Sequence, residues 1–188
     1  MTRKPSHKAR IVIVLSLLAL APFVAQASGL TSNLSVANLR ELVGQAGGWG
    51  ALLFFVVFVG AVVAQVPGVP FVALAPTLFQ LPQAWALCFC ASNVAMLINF
   101  ALVRRFGGQP LAQLENARLK RLLAQLDTNP VRTVAILRTV TVMFPPVTSA
   151  LALTRVSSRD HAVGSALGML VPVTAIVLIT AAVMHSVP

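Results

Sequence analysis

Residues 84–103 read AWALCFCASNVAMLINFALV without one charge, and Arg104 and Arg105 follow at once. At about 1.5 Å per residue, such a run is about 30 Å long as a helix, the thickness of a bilayer's hydrocarbon core. A backbone crossing that core must satisfy its own N–H and C=O groups, and an unbroken apolar run with no alternation does so only as an α-helix. The basic pair fixes the helix's C-terminal end in the cytoplasm. Over the whole chain 57% of the 188 residues are hydrophobic and 10% are charged. That is more apolar surface than a soluble domain of this size can bury, so the reading is an all-α polytopic membrane protein.

Charge orients the remainder. Glu41, Glu115, Asp127 and Asp160 face fourteen Lys and Arg, giving a formal charge of +10. The basic residues flank apolar runs instead of forming one stripe and the aromatics are few, so the charge reads as positive-inside topology and nucleic acid is not expected as a partner. Cys88 and Cys90 point about 200° apart on a helix and have no further Cys or nearby His to complete a metal set. They read as packing residues, and no cofactor is expected.

The four basic residues within 1–10 precede the apolar run IVIVLSLLALAPFVA, 11–25. Residues 1–28 are therefore either a first transmembrane helix or a signal peptide, and both place residue 28 outside. Residues 29–48, with Leu34, Leu39, Leu42 and Val43 beside Arg40 and Glu41, predict a short helix at the outer interface. WGALLFFVVFVGAVVAQ, 49–65, then meets Pro67-Gly68-Val69-Pro70, which cannot continue a helix. Because residues 48 and 84 both lie outside, 49–83 must go in and come back. Its second limb, 71–81, reaches only about 16 Å, so a re-entrant helical hairpin with PGVP at its deep turn is expected.

Beyond the span at 84–103, the leucines of 108–127 predict a cytoplasmic amphipathic helix. Arg132 opens the next apolar segment and Arg155 and Arg159 close it, so 131–154 also returns to its own side. Pro145-Pro146 is expected at the tip of this second re-entrant hairpin, which enters from the cytoplasm. Residues 161–183 form the last span. On this map every Lys and Arg except Arg40 lies at or near the cytoplasmic face.

Several stretches resemble the VTT-domain family, the DedA (SNARE-associated Golgi protein) superfamily. VPGVPFVALAPTLF, 66–79, is similar to its first hairpin, and NVAMLINFALVRRFG, 93–107, to its small-residue helix closing on a basic pair and Gly. LRTVTVMFPPVTSALALTRVSSRDHAVGSALGML, 137–170, looks like its Arg, prolines, Leu-Thr-x-Val-x-x-Arg-Asp and Gly-rich helix. The resemblance covers about residues 40–180. It implies two opposed re-entrant hairpins in a multi-pass protein of the bacterial plasma (inner) membrane that moves lipid or polyprenyl phosphate. Where some bacterial relatives carry an acidic residue after the first Pro-Gly this chain has Val69, and no carboxylate lies within an apolar segment, which argues against an acidic-residue proton cycle.

The expected substrate-binding residues follow from this map. Arg138 is the one charge placed partway into the membrane, either as a bidentate phosphate contact or as a snorkelling side chain. Pro67, Gly68, Pro70, Pro145 and Pro146 shape a polar crevice between the hairpins, or simply kink the chain. Thr148 and Ser149, with Thr141 and Asn99, line it or satisfy helix backbone. Arg155 and Arg159 meet anionic head groups or only orient the last helix. No nucleophile with a Gly-x-Ser-x-Gly context, metal cluster or phosphate loop is present, and Ser149 with His161 does not make a recognisable dyad, so no enzyme activity is expected. The leading reading is a flippase- or scramblase-like translocator with membrane lipids, including anionic or phosphate head groups, as partners, and homo-oligomerisation is left open. A coupled small-molecule transporter and a non-transporting membrane organiser are the alternatives.

Overall fold

The computed structural model describes residues 36–107, 126–142 and 144–186. The segment expected over 1–28 and nearly all of the amphipathic helix expected over 108–127 lie outside the described residues. Regular structure within them is wholly helical: α1 (Val36–Gln45), a 3-10 turn (Gly47–Trp49), α2 (Gly50–Val63), α3 (Val69–Leu78), α4 (Leu81–Gly107), α5 (Pro130–Thr141), α6 (Pro145–Ala152) and α7 (Ser158–Ser186). In α1, Leu39 and Val43 are buried while Arg40 and Glu41 stay exposed, the amphipathic split that their spacing predicts.

Two helices, α4 with 27 residues and α7 with 29, are long and apolar enough to cross a membrane. They run antiparallel: Trp85 Nε1 donates to Thr174 Oγ1 at 2.8 Å near one end, and the Phe100 and His161 rings stack at 4.1 Å towards the other. One face of α4 carries a buried row of mostly small side chains, Ala84, Cys88, Ala91, Ser92, Ala95 and Met96, which lets neighbouring helices approach. Opposite faces expose Val94, Ile98 and Leu102 on α4, and Leu167, Val171, Leu178 and Ile179 on α7. An apolar belt of that extent suits a lipid surrounding. Cys88 is buried in the core and Cys90 is exposed, so the two point apart as expected.

Each of the two broken segments leaves from and returns to one end of this pair, and the ends are opposite. In the first, Phe58 stacks on Phe71 at 5.0 Å and Phe54 meets Phe79 edge-on at 5.4 Å, so α2 and α3 are antiparallel and Phe79 arrives beside the start of α4. In the second, α5 lies parallel to the first half of α7, while α6 packs on α4 and comes back to its C-terminal end. Val142, in the second break, packs against the apolar cluster built around the first segment.

The chain reverses earlier than the prolines led one to expect. α2 ends in a Schellman motif in which Val66 N–H donates to Ala61 O and Gln65 N–H to Val62 O, with Gln65 at φ 68°. Pro67 and Gly68 follow in the turn, and Pro70 sits in the first turn of α3. The correction is larger in the second segment: α5 ends at Thr141, with Val142 at φ 50°, and Pro145 and Pro146 open α6 instead of forming the tip. Physically this is where prolines belong, since the first helical positions have no intrahelical acceptor for their N–H and need the φ that the ring fixes.

Contact between α5 and α7 depends on two glycines. A Cβ on Gly164 would lie 2.7 Å from Val134 Cβ, and one on Gly168 would lie 2.4 Å from Ala135 O and 2.6 Å from Arg138 Cβ. The same contact repairs a defect, because Pro172 inside α7 cannot donate to Gly168 O. Thr139 Oγ1 shares its proton between Ala135 O at 3.0 Å and that Gly168 carbonyl at 3.1 Å.

Candidate functional site

Arg138 is the largest fully buried side chain among the described residues. Val134 and Arg138, four apart on α5, form its buried face, and Gly168 leaves room for the arginine stem. From there the guanidinium reaches two other helices. Nη2 donates to Thr148 Oγ1 on α6 at 2.8 Å and Nε to Ser165 Oγ on α7 at 3.3 Å, while Nη1 has no hydrogen-bond partner among the described residues. Two hydroxyls cannot neutralise a guanidinium, so the group is oriented but only partly satisfied.

One turn before Ser165, on the same side of α7, lies His161, which is also fully buried. Phe100 covers its ring with an interplanar angle of 11°. The Met96 carbonyl lies near the ring without reaching hydrogen-bond geometry, so neither Nδ1 nor Nε2 has a partner among the described residues. Arg138 and Arg104 both act on the imidazole electrostatically. The same neighbourhood thus holds two buried polar side chains with three unsatisfied nitrogens between them.

Arg104 closes the cluster at the end of α4. Its guanidinium donates to the carbonyls of Ala152, Val156 and Thr154 at 3.1, 2.5 and 2.9 Å, capping the C-terminal end of α6, and its Cζ lies 4.3 Å from the Phe100 ring centroid. The basic pair therefore divides: Arg104 turns inward and Arg105 is exposed.

Of the expected site residues, the structure brings Arg138 and Thr148 into direct contact, with Ser149 buried beside Thr148 on α6. Pro145 and Pro146 set the start of α6, and thereby the position of Thr148 one turn on. Pro67, Gly68 and Pro70 belong to the other break, where Gly68 is buried and the two prolines are exposed. Arg155 and Arg159 are exposed in and just after the turn before α7, away from the buried guanidinium. There Ser157 Oγ accepts from Asp160 N–H at 3.0 Å and donates to Asp160 Oδ2 at 2.6 Å, which caps the helix. Residue-by-residue reading missed Ser165, Arg104 and the burial of His161. The signal for the first was its place in Gly164-Ser165-x-x-Gly168, the close-packed face of α7.

A helical core of two long apolar helices with an apolar belt, flanked by two broken segments, fits a membrane protein. The family model for the VTT domain matches residues 66–182, more than half of the chain, and the protein belongs to that family, the VTT/DedA superfamily. No curated protein and no solved structure matches the chain.

Proposed function

We propose that this protein is a non-enzymatic translocator of lipid or polyprenyl-phosphate head groups, multi-pass in a bacterial plasma (inner) membrane. The observation that carries this reading is Arg138: fully buried, held by one hydroxyl from each of two helices, and left with Nη1 unpartnered. A charge kept inside an apolar helical core costs several kcal/mol or more unless something pairs with it, and an anionic head group is the partner a bilayer offers in abundance.

The geometry of the breaks supports the same reading. α2, α3, α5 and α6, with 14, 10, 12 and 8 residues, reach about 21, 15, 18 and 12 Å, short of a roughly 30 Å core. We take 50–78 and 130–152 to be re-entrant from opposite leaflets, the first from outside and the second from the cytoplasm. Opposed broken segments whose tips approach one another near mid-membrane are the arrangement in which polar solutes meet freed backbone groups. The head group passes between the hairpins while its tails remain in lipid.

The test is a head-group accessibility assay in liposomes with purified protein. Arg138→Lys is expected to match wild type in membrane abundance and lose most lipid movement, because an ammonium cannot reproduce the guanidinium's planar fork. Arg138→Ala is expected to lose movement as well. Wild-type activity at equal abundance in the Lys variant, or no lipid movement by wild type, would overturn the reading.

A further inference from the structure

His161 has no place in the account so far, although it is as deeply buried as Arg138 and worse satisfied. A neutral imidazole carries one N–H donor and one acceptor nitrogen, and burying both unpaired is unfavourable. If stacking on Phe100 were all that position 161 required, a phenyl ring would supply it without that cost. The polar atoms therefore need another explanation. An unsatisfied nitrogen in the same neighbourhood is a donor too: Arg138 Nη1, on the guanidinium that Ser165, one turn along α7, holds in place.

The geometry points to a single buried oxyanion subsite in which Arg138 Nη1 and the His161 ring N–H bind the same phosphate-type group, flanked by the hydroxyls of Thr148 and Ser165. Two unpartnered N–H donors from different helices call for an acceptor between them, and a tetrahedral oxyanion offers several acceptor oxygens at once. The two ring nitrogens diverge, so the group binds through the N–H and the other nitrogen lies outside the subsite. Phe100 on the ring and Arg104 over Phe100 fix the ring plane from α4. Access requires α6 to part from α5. The two helices rest on different long helices and are joined at this depth by the Arg138–Thr148 hydrogen bond. This subsite deepens the translocation reading and rests on it for the idea that the anion is cargo.

The experiment uses the full chain with 15N-labelled histidine in a maltoside detergent free of phosphate, with the His161 ring signals identified by their loss in His161→Phe. Inorganic phosphate and phosphatidic acid in mixed micelles are added separately. The expected result is a displacement of the His161 ring signals by at least one probe. Response to inorganic phosphate assigns the site to the free anion, and response to phosphatidic acid alone assigns it to a lipid head group. His161→Phe should bind about tenfold more weakly, the loss of one hydrogen bond to a charged group, while melting no lower than wild type because two unpaired nitrogens are gone. Ring signals unmoved by either probe would assign the imidazole to an internal water or to Arg138 itself and overturn the subsite. So would unchanged affinity in His161→Phe. If Arg138→Lys weakens binding and His161→Phe does not, the subsite fails and the translocation reading stands. If both weaken binding but wild-type protein moves no lipid in liposomes, the subsite stands and translocation fails.

Discussion

Arg138 and Thr148 are ten residues apart in sequence, on helices that rest against different neighbours, and a 2.8 Å hydrogen bond from the guanidinium to the hydroxyl spans the space between them. Val142, just after α5, has φ 50°, a conformation unfavourable for a β-branched residue.

Thr148→Val keeps the shape and removes the acceptor, which leaves a second guanidinium nitrogen of Arg138 unpaired. The expected loss is about 1–3 kcal/mol, read as a lower denaturation midpoint in detergent. Thr148→Ser restores the acceptor and should recover most of it. Equal stability of the Val and wild-type proteins would mean that the hydrogen bond carries no net weight.

Arg104 and Arg105 should respond very differently to the same change. Removing Arg104 frees the carbonyls of Ala152, at the end of α6, and of Thr154 and Val156 in the turn after it, so Arg104→Ala is expected to cost about 1–3 kcal/mol. Arg105 is exposed, and Arg105→Ala should stay within about 0.5 kcal/mol. Arg104→Lys should fall between, because one ammonium cannot fan across carbonyls on residues 152, 154 and 156 as a guanidinium does. The comparison is made by unfolding the three variants under one set of conditions.

The contrast between these arginines also marks how far the sequence can be read. Apolar length located α4 and α7, and the basic flanks pointed to Arg104–Arg105 as a helix end, because both signals are local. Which of two adjacent arginines turns inward depends on where the end of α6, some fifty residues later, comes to lie. No local pattern records that. Arg138 stood out because a charge inside an apolar run is a local anomaly. His161 did not, since at the start of a helix beside Arg159 and Asp160 it looks like one more polar residue of the flank. Only the packing of α7 against α4 and α5 buries it. The double proline was recognised as a break, but its ring chemistry marks where a helix begins, and the reversal lies just before it.

Thr139 and Pro172 are expected to be coupled. Thr139→Val takes away the hydroxyl shared with Gly168 O, and because Pro172 has no N–H that carbonyl then has no donor from its own helix, at a cost of about 1 kcal/mol. In a Pro172→Ala background the restored N–H can reach Gly168 O, so the same Thr139→Val change should cost clearly less. A double-mutant cycle on unfolding free energies measures the difference, and strict additivity would show that the hydroxyl is not compensating for the proline.

The final prediction concerns sidedness, and it joins the charge pattern to the packing. Arg104 Nη1 donates to Val156 O, so the C-terminal end of α4 and the N-terminal end of α7 lie side by side, and because the two helices are antiparallel Ser186 belongs at the opposite end of the pair. On the proposed topology the basic residues of 104–159 put the shared end in the cytoplasm. Segment 130–156 is then expected to begin and end on that face, although it contains two helices that in series would be long enough to cross. Phe106, Ser158 and Ser186 are all exposed, which makes each a suitable labelling position. In a background with Cys88 and Cys90 replaced by Ala, single cysteines at 106 and 158 should react with an impermeant maleimide only after the membrane is opened from the cytoplasmic side, and one at 186 should react in intact cells. Labelling of 106 and 158 from opposite sides would rule out re-entry of the second segment. It would also separate Arg104 from the carbonyls it caps, so the Arg104→Ala loss of stability should then be absent as well.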